Sequence, residues 1–566
     1  MMAVAIDGAG DDVVMRGGRV LTMDARSSVA SALAFAGGRL TAVGSDAGVS
    51  ARIGKRTRVI ELRGRTVMPG MIDGHAHMDR EGLKSLLPSL SGCGSIAELV
   101  ERVRRIAAAT PPGQWIVTMP LGEPPEYLWS PDMYAEGRLP CREDLDRATA
   151  AHPVLIRCAW GHWPGRVPTV SIANSAALRL AGIGPDPVSP SPRLRIETDA
   201  AGLPTGRLYE DDLQPLAEFT VFRQAPHFTE DERALTLASS MSAYNRYGTT
   251  GVFEGHGAAP ELIRAYRAAR GRRAPSVRTR LVFSPGWSGA SDDDVRAWVR
   301  EQASRLHGKG EGDEWLRLEG LFAELQTQPD DARLRASCAP RTGWAGFRYD
   351  CGLPPERLRL LLEEAARAGL RVCGIQAGMA ERFAEVGERV PIDGLRWVVA
   401  HPATLDARQI GAIRDHGMVV TTHTGAYVWR RAAATLQRVG PAGEETICPI
   451  RSLLEAGVPV SLATDNVPIS LWPCVWHAVA RIDRDTGAVI APGQRIDRMQ
   501  ALRCATVHGA WLCLDETDRG ALEAGKQADL LVLRDNPLDV ELARLSQLEA
   551  DMTWVGGRQV YPGGDA

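Results

Sequence analysis

Apolar positions along the chain fall into three regimes. Between residues 12 and 66 they form short runs broken by glycine: VVMRGGRVLTM, SALAFAGGRLTAVG and TRVIELRGRTVM. β-Branched residues with Gly-containing turns predict short strands. The Gly-Gly-Arg sequences at 17–19 and 37–39 suit hairpins, because glycine takes positive φ without steric cost. ADLLVLRDNPL and MTWVGGRQVYPGG, near the other end, repeat the style. Together they predict one composite β-sandwich made from residues 1–66 and 513–566.

From 67 to 512 the pattern changes to apolar strands alternating with helical stretches. PGMIDGHAH, GTTGVFEGHG, TRLVFSPG, EWLRLEGLFAE, LRVCGIQAG, LRWVVAHPATL, GMVVTTHTG and VPVSLATDN are the strands. PPERLRLLLEEAARAG and LDARQIGAIRDHG are typical of the helices between them; Leu358, Leu361, Leu362 and Ala365 share one face. Repeated βα units predict a parallel sheet, and eight of them a closed (β/α)8 TIM barrel. About 80–240, between the first and second strands, is too long for a loop and carries strands of its own such as PVLIRCAW, so a folded insertion is expected there.

The formal charge of −3 is small and neither sign dominates, which gives no basis for nucleic acid or an anionic membrane as partner. Ten scattered cysteines without a C-x-x-C pair do not form a disulfide framework and fit a reducing compartment. No secretory signal and no apolar run of membrane-spanning length is read, so a cytoplasmic protein is expected.

The chemistry starts at PGMIDGHAHMD, residues 69–79. Two histidines at i and i+2 on a strand share a face, and at the C-terminal end of a barrel strand that face looks into the mouth. Alone, His75 and His77 fit a pair of hydrogen-bonding groups as well as half of a metal site. Two later strands change the balance: RWVVAH ends in His401 and VSLATD in Asp465. A mixed imidazole and carboxylate set suits a divalent ion that activates water, with a carboxylate to take the proton.

With these residues in hand, the chain resembles the amidohydrolase superfamily, and within it the family-3 (YtcJ-like) amidohydrolases. The likeness is carried by PGMIDGHAH (69–77), SIANSAALRLAGI (171–183), GLPTGRLYED (202–211), RSLLEAGVPVSLATDNVP (451–468), ALRCATVHGAWL and GALEAGKQADLLVL (501–533). It implies the barrel and sandwich, a homodimer, and hydrolysis of a non-peptide C–N bond in a small molecule. It also implies His75, His77, His401 and Asp465 as metal ligands, with Asp465 as general base and then acid.

The chain departs from that pattern twice. Gln376 stands where the fifth strand of the family carries histidine, and EWLRLEGLFAELQ lacks the lysine that bridges two ions. One divalent ion is therefore favoured over two; zinc is expected, although the ligand types suit manganese or iron as well. Candidates to complete the site are His256 and, behind it, Glu254, both in GVFEGHG; Gln376 remains a substrate contact. Glu210 either reaches the site or is a loop carboxylate. His423, in VTTHTG, either donates to an oxyanion or supports another ligand. Arg80 either grips a substrate carboxylate or pairs with Asp79. Trp160, Trp163, Trp429, Trp472 and Trp476 would suit an apolar or aromatic substrate part, or pack in the core. Deamination, ring opening and non-hydrolytic decarboxylation stay open on the same scaffold, as does a binding protein without catalysis.

Overall fold

The computed structural model describes residues 10–326, 334, 343–375 and 378–563. Eight parallel strands make the central sheet: β1 Met71–Asp73, β2 Thr249–Ala258, β3 Arg278–Phe283, β4 Leu316–Leu325, β5 Val372–Ile375, β6 Val398–Ala400, β7 Val419–Thr422 and β8 Val460–Leu462. Each pairs with the next in parallel register. Just past β1 the sheet closes on β8, where Gly74 donates its N–H to the Leu462 carbonyl at 2.9 Å. A Cβ at Gly74 would lie 2.5 Å from Ser461 Oγ, so the seam needs glycine. This is the (β/α)8 barrel that the eight apolar segments predict.

The helices follow the same logic. Pro355–Arg367 starts with proline in its first turn and turns Leu358, Leu361, Leu362 and Ala365 onto the sheet. Ala407–Asp415 is capped by Asp406, which accepts from the Gln409 N–H while Gln409 reaches back.

Two further sheets build the sandwich. One orders residues 39–44, 32–36, 13–16 and 58–61; the other 558–561, 552–555, 530–533, 66–69, 19–21 and 29–30. The second is composite: Val67 faces Val532 in the antiparallel pairing of the two chain ends. Met15, Val20, Phe35, Leu530 and Trp554 fill the space between the sheets. The turn at 37–39 does close a hairpin, but the turn at 17–19 does not. There the strands on either side belong to different sheets, since Gly18 N–H bonds Ser31 and Arg19 N–H bonds Arg65. Glycine allows the crossing as readily as it allows a hairpin.

Between β1 and β2 a five-stranded sheet of residues 116–118, 154–156, 169–173, 194–198 and 204–210 forms with its own apolar core. Among the described residues, no helix is long and apolar enough to cross a membrane.

Candidate metal centre

All the candidate donors arrive at the C-terminal end of the barrel. His75 and His77 follow β1, and His77 starts the helix Met78–Leu83. Glu254 and His256 sit two apart near the end of β2. His401 follows β6 with φ at 55°, and Asp465 follows β8 with φ at 52°. Left-handed backbone at non-glycine residues is costly and persists where surrounding structure holds it. Here the hold is explicit. Asp465 donates its N–H to the His75 carbonyl at 2.9 Å. Asp73 accepts from the His75 N–H at 3.1 Å, the Thr464 N–H at 3.0 Å and the Thr464 hydroxyl at 2.5 Å.

The side chains converge. His75 lies 3.9 Å from His401, 5.2 Å from His77 and 6.1 Å from His256, ring centre to ring centre. Donor atoms of His75, His77 and His256 fall within 4.8 Å of one another, as do those of His75, His401 and Asp465. Gly255 makes room: a Cβ there would stand 2.5 Å from His75 Nδ1. Both ring nitrogens of His75, both of His401 and Nε2 of His256 are buried with no hydrogen-bond partner among the described residues. Buried polar atoms are almost always satisfied, so three adjacent imidazoles with unpartnered ring nitrogens, each able to offer one of them, fit a cation.

The electrostatics agree. Burial pushes His77 and His401 down to about 4, and His75 and His256 well below the usual imidazole value. A neutral imidazole is the ligating form. Burial alone would raise Asp465, but His423 and His77, turned to its two oxygens, more than offset this and hold it well below the usual carboxylate value. Glu254 moves the other way: burial, and then the charge of Asp79, push it up to about 8. It accepts from the Met78 N–H and the Tyr266 hydroxyl, and its second oxygen lies 3.8 Å from His77 Nδ1. It therefore sits beside His77 without a hydrogen bond to it, anchored through its other oxygen by Met78 and Tyr266.

The remaining candidates divide. His423 Nδ1 is 3.3 Å from Asp465 Oδ2, and Arg430 donates to its Nε2 at 3.0 Å. Both nitrogens are thus engaged, which leaves no N–H for an oxyanion. Arg80 does not pair with Asp79, because Asp79 is bound by Arg233; Arg80 lies over Trp160 and donates to the Ala345 carbonyl. Trp163 packs against Tyr127 and Trp344, in the core between insertion and barrel mouth. Glu210 is neither in a loop nor at the site: it ends the strand Pro204–Glu210, buried, accepting from Ser171 and Ala217. Trp472 donates to the Tyr247 carbonyl, and Trp429 packs on Trp476 and His477. Gln376 lies outside the described residues.

Three neighbours of the site are not among the residues the sequence marks. Phe347 stacks on His256 at 3.9 Å and 4°. Arg430 fixes His423. His162, from the insertion, keeps part of its surface open, yet burial pushes it down to about 4 and it feels Asp465 and His401. The only sequence signal for His162 is its place in AWGHW, after an apolar strand.

A barrel with histidines and an aspartate gathered at the C-terminal ends of its strands defines a metal-dependent hydrolase class. Residues 58–561 match the model of the amidohydrolase family, and the chain belongs to that family. An N-substituted formamide deformylase of Arthrobacter pascens is 27% identical over 96% of this chain and 97% of its own. The putative amidohydrolase YtcJ of Bacillus subtilis is 24% identical over 97% of this chain and 99% of its own. In fold, an uncharacterized metal-dependent hydrolase from Pyrococcus horikoshii superposes with a TM-score of 0.67 at 19% identity, covering 94% of this chain and 99% of that one.

Proposed function

We propose that the protein hydrolyses a non-peptide C–N bond of a small amide, with one divalent ion such as zinc held among His75, His77, His256, His401 and Asp465. The observation that carries this reading is the set of buried imidazole nitrogens without partners, gathered beside an ionised aspartate. The two donor triads share His75, which favours a single ion over two. When bound there, such an ion would supply Lewis acidity toward the amide carbonyl and toward water. Asp465 takes the proton of the attacking water and passes it to the leaving nitrogen. His423 holds Asp465 in place for both transfers. With Arg430 on Nε2, the proton of His423 sits on Nδ1 and points at Oδ2. Trp160 and Phe347, packed on each other beside His256, would suit an apolar or aromatic group.

The full-length similarity to a formamide deformylase makes N-substituted formamides the substrates to try first. Untagged protein loaded with zinc should release formate and free amine from N-benzylformamide. His75→Ala and Asp465→Asn should each lose more than about 1,000-fold in turnover while remaining folded. Near-normal turnover by either variant rejects the reading, and release of ammonia or carbon dioxide from other substrates moves it to the alternative reactions.

A further inference from the structure

Arg80 is 2% exposed, and no carboxylate bridges it among the described residues. Its Nε and Nη2 both donate to one acceptor, the Ala345 carbonyl, at 3.3 and 3.2 Å. Of the neighbouring acid, Asp79, Oδ2 is held by Arg233, while Oδ1 is buried with no hydrogen-bond partner among the described residues, Arg80 included. The other acids within its field are committed as well: Glu254 to Met78 and Tyr266, Asp465 to His77 and His423. A buried guanidinium is expensive unless an anion faces it, and one carbonyl supplies no charge.

The surroundings place this cation at the site rather than in a core. Its guanidinium lies 4.7 Å over the ring of Trp160 and 5.6 Å over that of Phe347, whose ring stacks on His256. Arg80 is thus one aromatic ring away from a candidate ligand. Trp160 Nε1 is also buried and has no acceptor among the described residues. Arg80, whose one hydrogen-bond acceptor is an uncharged carbonyl, and Trp160 Nε1, which has none among the described residues, therefore stand together at the edge of the metal centre. We infer that Arg80, with Trp160, is an anion subsite, and that the physiological substrate is an amide bearing a carboxylate close to the scissile bond. This rests on the proposed amide hydrolysis for its place in a reaction, but the anion site itself does not.

The test compares two formamides that differ only in the carboxylate: N-formylphenylalanine and N-phenethylformamide. In the zinc-loaded wild type, kcat/KM for the acid should exceed that for the neutral amide by roughly 30-fold, the worth of a charge-assisted contact. Arg80→Gln should lower the acid's kcat/KM far more than the neutral amide's, bringing the ratio to within about threefold. Arg80→Lys, which keeps the charge without the fork, should fall between. A wild-type ratio at or below unity, or an equal loss for both substrates in Arg80→Gln, overturns the inference.

Calorimetry separates the two readings. Wild-type protein, with zinc and again after chelation, is titrated with 3-phenylpropionate and with its amide. Preference for the acid that survives chelation and is lost in Arg80→Gln supports the anion subsite, even if neither formamide is hydrolysed and the proposed reaction falls. Acid binding that vanishes on chelation and is indifferent to Arg80→Gln puts the carboxylate on the ion, and overturns it.

Discussion

Asp465 Oδ2 lies 3.3 Å from His423 Nδ1, and the opposite nitrogen of that ring is closed by Arg430 at 3.0 Å. The arginine has only donors, so His423 Nε2 must accept and Nδ1 must carry the hydrogen. The tautomer, and with it the donor that holds Asp465 ionised, is set two residues away from the acid it serves.

Arg430→Met should therefore act on Asp465 through His423. Turnover should fall by about 10- to 100-fold with a smaller change in KM. Without a fixed N–H donor the carboxylate pKa rises, so the acid limb of the pH–kcat/KM profile should move to higher pH. The profile across pH 3 to 9 checks this; lower activity with an unmoved acid limb means Arg430 only supports the fold.

Gly255 offers a test that leaves every donor in place. An added methyl would meet His75 Nδ1 at 2.5 Å and Phe253 at 3.2 Å, and the ring must shift to admit it. Gly255→Ala should weaken zinc affinity by about tenfold or more, since displaced ligands lose coordination geometry. Competition against a chromophoric chelator measures it. Unchanged affinity would show that His75 is not a ligand in its present rotamer.

The barrel is legible in the sequence because its signal is local: β1 to β8 each carry an apolar stretch, as buried parallel strands do, although β3 and β4 also bury Arg278, Arg280, Arg317 and Glu319. The residues that end those runs, His75, His77, His401 and Asp465 among them, are legible for the same reason. What surrounds them is not. Phe347 and Arg80 come together across more than 260 residues, and nothing near either residue marks the other. His423 is legible as a strand-end histidine, yet its relation to Asp465 depends on Arg430, which follows it on a turn of helix without any pattern. The first Gly-Gly-Arg turn fails as a hairpin because glycine reports permission for a turn, not which strands it joins.

Glu210 carries a pH signature of its own. Burial pushes it up to about 7, against 4.5 for a free side chain. The folded state then holds a proton between pH 4.5 and 7 that the unfolded chain has released, so stability falls as pH rises through that window. Comparing urea unfolding of wild type and Glu210→Gln at pH 5 and pH 8 isolates the effect. Relative to the variant, wild type should lose about 2.5 kcal/mol between the two. A pH-independent difference would show that Glu210 titrates like an exposed acid.

The number of ions follows from geometry around one residue. His75 belongs to both donor triads, and each triad draws on one nitrogen of its ring. An imidazole that bridges two ions must present opposite nitrogens, yet Gly255 is pressed against the Nδ1 side, where a second ion would need space. One equivalent of zinc per chain is therefore expected in untagged protein measured by elemental analysis. His75→Ala should abolish it, because neither triad survives. His256→Ala and His401→Ala should each retain binding at reduced affinity, because each leaves the other triad intact. Two equivalents in wild type, or full occupancy in His75→Ala, would show that the donors are partitioned between separate ions and that His75 is not their common point.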